Sequence, residues 1–381
     1  MSSNIVTERI FAETIAAQGG RAYRVGACVH DMIRGINPNG IDFCVVGMVK
    51  KNFKGLFPDA VECGKYFPVF RLSIAGVKCE IAFARTERKD GSGHRGFKIA
   101  SNPKITIEQD LFRRDTTVNA MAIDCLTGEV IDPFHGIQDS KDGMLRATGR
   151  HFSDDPMRAL RLAGEAARLD YEIDGATLNF ARAAGAEIGG EPSERLFAEM
   201  AKALREAPAP AKFFKILAKV DLLPLVFKEI ADLSAENFRL AMAELDAVAK
   251  AASSAKLRFA VLGSVLDEQS LLRWNNKMTL PVDWFNAANI SRNVMRLLAQ
   301  PDPGKIVGAI QLLRRGALSV EEFDIISQAV ERKLPALGPY QAIMTSLSKD
   351  MAPEQLKGKE IGEWLRRKYV EVITKAWAKE V

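Results

Sequence analysis

The stretch Asp110-Leu111-Phe112-Arg113-Arg114-Asp115-Thr116-Thr117-Val118-Asn119-Ala120 decides how this chain is read, together with Asp154-Asp155-Pro156-Met157-Arg158-Ala159-Leu160-Arg161. In the first, paired arginines stand on a predicted helix from Leu111 to about Ala120. A planar guanidinium fork matches phosphate oxygens, although a surface charge cluster has the same composition. In the second, Ser153-Asp154-Asp155-Pro156 reads as a helix start, with Ser153 as N-cap, acids in the first turn and proline near N1. Asp155, Arg158 and Arg161 are then spaced i, i+3, i+6 along one face. A carboxylate accepts from an exocyclic amine, and a guanidinium donates to ring nitrogens and carbonyls. Such a set can favour the amino bases C and A over U and G, which place a carbonyl at that corner. An ordinary salt bridge on a solvated helix has the same spacing.

Around these segments the chain reads as mixed α/β for its first 150 residues and helical thereafter. Helices are predicted from Ile10 to Gln18, ended by Gly19-Gly20, and from Val29 to Arg34. Ile41 to Val46 is a short strand closed by Gly47, and Phe67–Ile74 with Val77–Ala84 form a hairpin about Ala75-Gly76. Thr86 to Gly96 is glycine-rich, with Arg88, Lys89 and Arg95, and reads as a mobile basic loop. Met121–Cys125 and Glu129–Ile131 pair around Leu126-Thr127-Gly128. Ala176–Ala184, Ser193–Glu206 and Ala209–Val220 continue as helices, and residues 234–381 are helical with proline breaks.

The 381 residues suffice for two or three domains. The 47% hydrophobic and 27% charged content is that of an ordinary globular chain. No run of 18 apolar residues marks a membrane span, and the N-terminus lacks a signal-peptide core, so a cytoplasmic location is expected. None of the five cysteines forms a CxxC pair, and buried reduced thiols are expected. No histidine follows His151, which excludes histidine chemistry from the second half. The net charge of +5 admits an RNA or nucleotide partner without requiring one.

Several motifs in order carry a more specific resemblance. Asp110–Ala120 resembles the D-L-x-x-R-D-F-T-x-N-A motif of class II tRNA nucleotidyltransferases and bacterial poly(A) polymerases. Thr127-Gly128-Glu129-Val130-Ile131-Asp132-Pro133-Phe134-His135-Gly136 resembles their T-G-E-x-I-D-P-x-x-G. Leu145-Arg146 and Asp154–Arg161 are similar to L-R and E-D-P-x-R-x-L-R, and Glu194-Arg195 with Glu199 to the E-R-x-x-x-E of the neck. Arg85 to Gly96 looks like the flexible basic loop of the CCA-adding branch. The resemblance runs from about residue 23 to 230. It implies an α+β protein: a polymerase-β-like nucleotidyltransferase head with a mixed sheet (1–150), a helical neck with the nucleotide-selecting helix (151–232), and a helical body and tail (233–381). It implies that Arg114, Arg158 and Arg161 contact the incoming nucleotide and that Asp155 joins Arg158 in selecting the base. ATP and CTP are the implied substrates, and a tRNA or other RNA 3′ end the implied acceptor.

Nucleotidyl transfer relies on divalent ions that activate the 3′-hydroxyl and neutralise the leaving pyrophosphate. Two acids at i and i+2 on a strand share a face and can hold Mg²⁺ or Mn²⁺. The family carries G-G-x-V-R-D and then D-x-D. Here the turn reads Gly26-Ala27-Cys28-Val29-His30-Asp31, with Ala27 for the second glycine and His30 for the arginine, all three expected at the nucleotide. Gly40 fills the first carboxylate position and Asp42 the second; Glu80 fits a further acidic position. Asp42 and Glu80 are therefore the expected catalytic and metal-holding residues, with Asp31 or Asn39 as helpers. Two readings follow: an enzyme adding CMP, AMP or both to RNA ends, or a catalytically silent homologue that binds RNA or nucleotide. Gly164-Glu165 stand where the family commonly has Arg-Phe. An HD phosphohydrolase site is not expected, because Leu262-Gly263-Ser264-Val265-Leu266-Asp267 holds no H-D pair. Lys357, Lys359, Arg366, Arg367 and Lys368, near Trp364 and Tyr369, suit an RNA backbone or a merely solvated helix face.

Overall fold

The computed structural model describes residues 6–64, 68–91, 96–330 and 332–378. Phe67 of the expected hairpin, Ser92–Arg95 of the expected loop and the extreme N-terminus lie outside them. Cα packing divides the chain into two compact units, Met1–Glu191 and Pro192–Val381. The helices Met157–Leu169 and Gly175–Ala184 lie in the first unit.

In the first unit the strands are β1 (Arg21–Val25), β2 (Asp42–Val46), β3 (Val61–Cys63), β4 (Val69–Ile74), β5 (Val77–Phe83), β6 (Thr86–Lys89), β7 (Phe97–Ala100), β8 (Ala122–Asp124), β9 (Val130–Ile131), β10 (Met144–Leu145) and β11 (Glu172–Ile173). The helices are α1 (Glu8–Ala16), α2 (Ala27–Ile33), α3 (Lys50–Leu56), α4 (Ile107–Phe112), α5 (Gly136–Lys141), α6 (Met157–Leu169) and α7 (Gly175–Ala184). A seven-stranded mixed sheet runs β3-β4-β5-β2-β1-β8-β9. Its pairs are antiparallel except β2 with β5. The strand alternation sends Phe43 and Val45 of β2 to one face, where Phe11, Phe53, Phe57, Phe70 and Phe83 close an aromatic core under α1 and α3. Cys44 faces the other side, with Tyr23, Ala84, Ile107 and Leu111.

Three local expectations are corrected. The helix expected from Leu111 to Ala120 is instead α4, which starts at Ile107 behind a Thr106–Gln109 capping box and ends at Phe112. The β-branched run Thr116-Thr117-Val118 then gives only a single 3₁₀ turn. The expected basic loop opens as a strand, Thr86–Lys89, which pairs with Phe97–Ala100 just beyond it, Thr86 opposite Ala100 and Lys89 opposite Phe97. Ser153 does not cap α6, because it lies within a 3₁₀ turn, Arg150–Asp154.

His30, expected at the nucleotide, lies in the packing between α2 and α5. It is fully buried, its Nε2 is 2.9 Å from Ser140 Oγ, and its ring meets Tyr171 edge-on. α2 turns this side chain into the packing against α5.

The second unit is helical throughout its described residues. Ala255–Ser264 and Val282–Leu297 pack so closely that a Cβ on Gly263 would lie 2.6 Å from Ala288 Cβ. Trp274 and Phe259 stack in the same core with Phe227 and Trp284. The buried Arg258 guanidinium donates to the carbonyls of Leu204, Ala207, Ala249 and Ala252, satisfying the ends of two helices. The last helix, Lys359–Trp377, buries Leu365, Tyr369 and Ile373 and leaves Arg366 and Arg367 exposed. No helix among the described residues is long and apolar enough to cross a membrane.

Burial, then the charges of Arg34 and Arg168, push His30 down to about 4. The folded state therefore holds His30 neutral, while the unfolded chain takes up a proton near pH 6.5. Stability is expected to fall by up to about 3 kcal/mol as pH drops from 6.5 to 4. Urea titrations across that range should show a flatter slope for His30→Gln; an equal slope refutes this. Gly263→Leu overpacks a closed contact and should lower stability by about 1–3 kcal/mol, read as a lower Tm.

Candidate active site

Asp42 and Glu80 are brought together by sheet topology. β2 and β5 are parallel neighbours, and Asp42 stands directly opposite Glu80. By strand alternation both project to the face shared by Cys44 and α4. Desolvation and the charge of Glu80 hold the Asp42 carboxyl above its ordinary range, against the pull of Arg114. Glu80 also receives Arg71 from β4, through Nε at 3.0 Å and Nη2 at 2.8 Å. A cavity of about 910 Å³ reaches Glu80 along β4 and β5, lined also by Arg71, Ser73 and Lys78 among others, but not by Asp42. No cluster of three or more His, Cys, Asp or Glu suited to a metal occurs among the described residues. Gly40 contributes no ligand, and a Cβ built there would meet no atom within 4 Å.

Arg114 is aimed at this face by α4. The carboxylate of Asp110 is sealed from solvent and takes Arg113 Nη2 at 2.8 Å, Arg114 Nη2 at 3.2 Å and the Arg85 amide at 3.2 Å. Burial alone would raise Asp110, but the two guanidiniums outweigh it and hold it below its ordinary range. Arg114 Nη1 reaches Asn119 O at 3.4 Å, and its buried Nε has no partner among the described residues. Gly26 precedes α2 at φ 80°, a conformation suited to glycine, and a Cβ there would lie 3.1 Å from Arg114 Nη1. Ala27 follows, exposed, at the first position of α2.

The segment expected to read the base is arranged differently from its sequence reading. Asp155 lies before α6, not within it: it is extended, as residues before proline are, and its carboxylate accepts Met157 N at 3.0 Å. Its other oxygen pairs with Arg161 at 2.5 Å, so Arg161 and not Arg158 is its partner. Arg158 is buried and donates to His151 O at 2.9 Å and Arg113 O at 2.7 Å. It braces the backbone that carries Arg114. Lys89 of β6 donates to Asp154 O at 2.9 Å, tying the ribbon to the same turn.

Sequence reasoning missed the residues beneath these. Asp115 accepts Thr116 N at 2.9 Å; burial opposes its charge, but Arg161 and Arg158 hold it below its ordinary range. Glu165 accepts Thr116 Oγ1 at 3.1 Å and Asn119 Nδ2 at 2.9 Å. Burial and then Asp115 raise it to about 7. The signal for Glu165 was a carboxylate standing where the family commonly has phenylalanine.

Residues 22–146 match the profile of the Poly A polymerase head domain, and residues 170–233 that of the probable RNA and SrmB-binding site of polymerase A. The chain is 32% identical over 372 residues to the CCA-adding enzyme of Pseudomonas putida strain W619, covering 92% of this chain and 97% of that one. It is 34% identical to the CCA-adding enzyme of Marinobacter nauticus over 69% of this chain and 70% of that one. Its match to the CCA-adding enzyme of Actinobacillus succinogenes, at 38% identity, spans about half of that relative, 56%. Among solved structures, a tRNA-processing enzyme in apo form superposes with a TM-score of 0.71 at 23% identity, over 96% of each chain. The Thermotoga maritima CCA-adding enzyme complexed with tRNA superposes at 0.68 and 23% identity, over 97% of this chain and 90% of that one. The fold is therefore shared with these structures, and by its near full-length match to the Pseudomonas enzyme the chain belongs to the family of CCA-adding enzymes and bacterial poly(A) polymerases.

Proposed function

We propose that the chain is a tRNA nucleotidyltransferase of the cytoplasm, transferring CMP, AMP or both from CTP and ATP to the RNA 3′-hydroxyl. The observation that carries this reading is the convergence of Asp42, Glu80 and Arg114 on one face, with a buried, unpaired Arg114 Nε beside the Gly26 turn. Arg114 takes the triphosphate through a planar donor edge. Gly26 and Ala27 leave room for it, and Arg158 keeps the arginine-bearing segment from shifting. Asp155 and Arg161 present an acceptor and donors to the base edge, which suits C and A.

Asp42 and Glu80 are hard oxygen donors whose repulsion a cation would relieve, and Mg²⁺ commonly takes one or two carboxylates plus phosphate oxygens. They fit Mg²⁺ or Mn²⁺, with Glu80 releasing Arg71. When bound, the ion neutralises triphosphate charge and acidifies the attacking hydroxyl. RNA follows the phosphate chemistry of basic surfaces, and the exposed Arg366 and Arg367 suit its backbone.

The test is incubation with tRNA lacking its CCA end, labelled CTP or ATP, and Mg²⁺ or Mn²⁺. Extension is expected. Retained tRNA with no extension under either metal overturns the catalytic reading and leaves an RNA-binding homologue. Gly40→Asp restores a second acid on the Asp42 side in open space, and should raise Mn²⁺ affinity and extension rate by about tenfold or more. Unchanged affinity and rate contradict the assignment of Gly40 to the metal face.

A further inference from the structure

We propose that Glu165 is a positioning residue for nucleotide selection, holding the Arg113–Asn119 segment in register with the helix that carries Arg158 and Arg161. The proposal rests on the nucleotide-transfer reading above.

Two departures from the family pattern meet in space. Thr116 stands where the motif carries phenylalanine, and Glu165 where the family commonly has another. Here they form a hydrogen bond, Thr116 Oγ1 to Glu165 Oε2 at 3.1 Å. The second oxygen, Oε1, accepts Asn119 Nδ2 at 2.9 Å. A polar pair with a third partner thus occupies a site that an apolar contact would fill by shape alone. Hydrogen bonds impose direction as well as distance, so the segment is fixed in rotation as well as spacing.

The attachment points are ordered along α6. Arg158, near the start of α6, grips Arg113 O, and Glu165, two turns on, grips Thr116 and Asn119. Arg161 lies between them, paired with Asp155. Between the two grips sits Asp115, whose charge is held by Arg161 and Arg158. Asn119 extends the chain of contacts, since its carbonyl accepts Arg114 Nη1 at 3.4 Å and Arg114 acts on Asp42. Glu165 therefore touches neither base nor metal, yet its partners set where the phosphate-holding arginine stands relative to the base-reading ion pair.

The experiment is calorimetric titration of CTP, ATP and UTP into the full chain without RNA, for the parent, Glu165→Ala, Glu165→Gln and Thr116→Val. Gln preserves both contacts, its carbonyl accepting from Asn119 and its amide donating to the Thr116 hydroxyl. Glu165→Ala is expected to weaken CTP and ATP binding about tenfold and to narrow their margin over UTP, with Glu165→Gln within about twofold of the parent. Thr116→Val, which removes one contact, should weaken binding about threefold and decides the matter if Glu165→Ala does not fold. Parental affinities and CTP:UTP ratio in Glu165→Ala or Thr116→Val, whatever happens to Tm, overturn the proposal. Glu165→Gln binding as weakly as Glu165→Ala also overturns it, since charge and not directed bonding would then be at work. A parent that binds no nucleotide refutes the underlying reading instead.

Discussion

A single buried carboxylate, that of Asp110, organises the head. Removed from water, it must be compensated, and the Arg113 and Arg114 guanidiniums with the Arg85 amide do so. The compensation has geometric consequences. It brings the residues after β5 to the end of α4, and it turns both arginines back along their own helix. Arg113 continues the network to Glu87 at 3.0 Å, while Arg114 keeps a buried Nε that has no partner among the described residues. The same knot thus closes one corner of the sheet and points a cation across it. An anion there with one arginine fewer would carry uncompensated charge, so stability and site geometry rest on the same atoms.

Much of this arrangement is legible in the chain itself. The hairpin around Ala75-Gly76 follows from two β-rich runs and a turn, and the pairing of Ala122–Asp124 with Val130–Ile131 from another. Ordered motifs carried the fold class and named Asp42 and Glu80, but the parallel pairing of β2 with β5 that sets them opposite one another was not read from the chain. The rest required three-dimensional information. The helix predicted at Leu111 starts earlier because Thr106 and Gln109 make a reciprocal cap, and stops at Phe112 because a β-branched run follows. His30 aligned with a ligand-facing position, but the angular position of a residue on a seven-residue helix depends on what that helix packs against. The pairing of Asp155 with Arg161 was hidden for a similar reason. Helical spacing favours residue 158, whereas Pro156 takes Asp155 out of the helix altogether.

The surroundings of α6 and the β2–β5 edge differ in how they are built. Around α6 nearly every charge is answered by a named partner, and arginines are spent on backbone carbonyls as readily as on carboxylates. At β2 and β5 the charges are left facing one another, with Arg71 bonded to Glu80 and Arg114 acting on Asp42. The first pattern gives a rigid frame, in which a side chain sits where it is required before any ligand arrives. The second leaves charge to be satisfied from outside.

The parallel pairing of β2 with β5 bears on how the head comes into being. Antiparallel partners such as β4 and β5 can zip from their turn, whereas parallel strands need an intervening crossover, here α3, β3 and β4. Closing that loop costs chain entropy before the contact returns anything, which makes such pairings slow. Asp42 and Glu80 therefore become neighbours only when the centre of the sheet is complete. A nascent or partly unfolded head, however rich in local hairpins and helices, holds these two acids far apart.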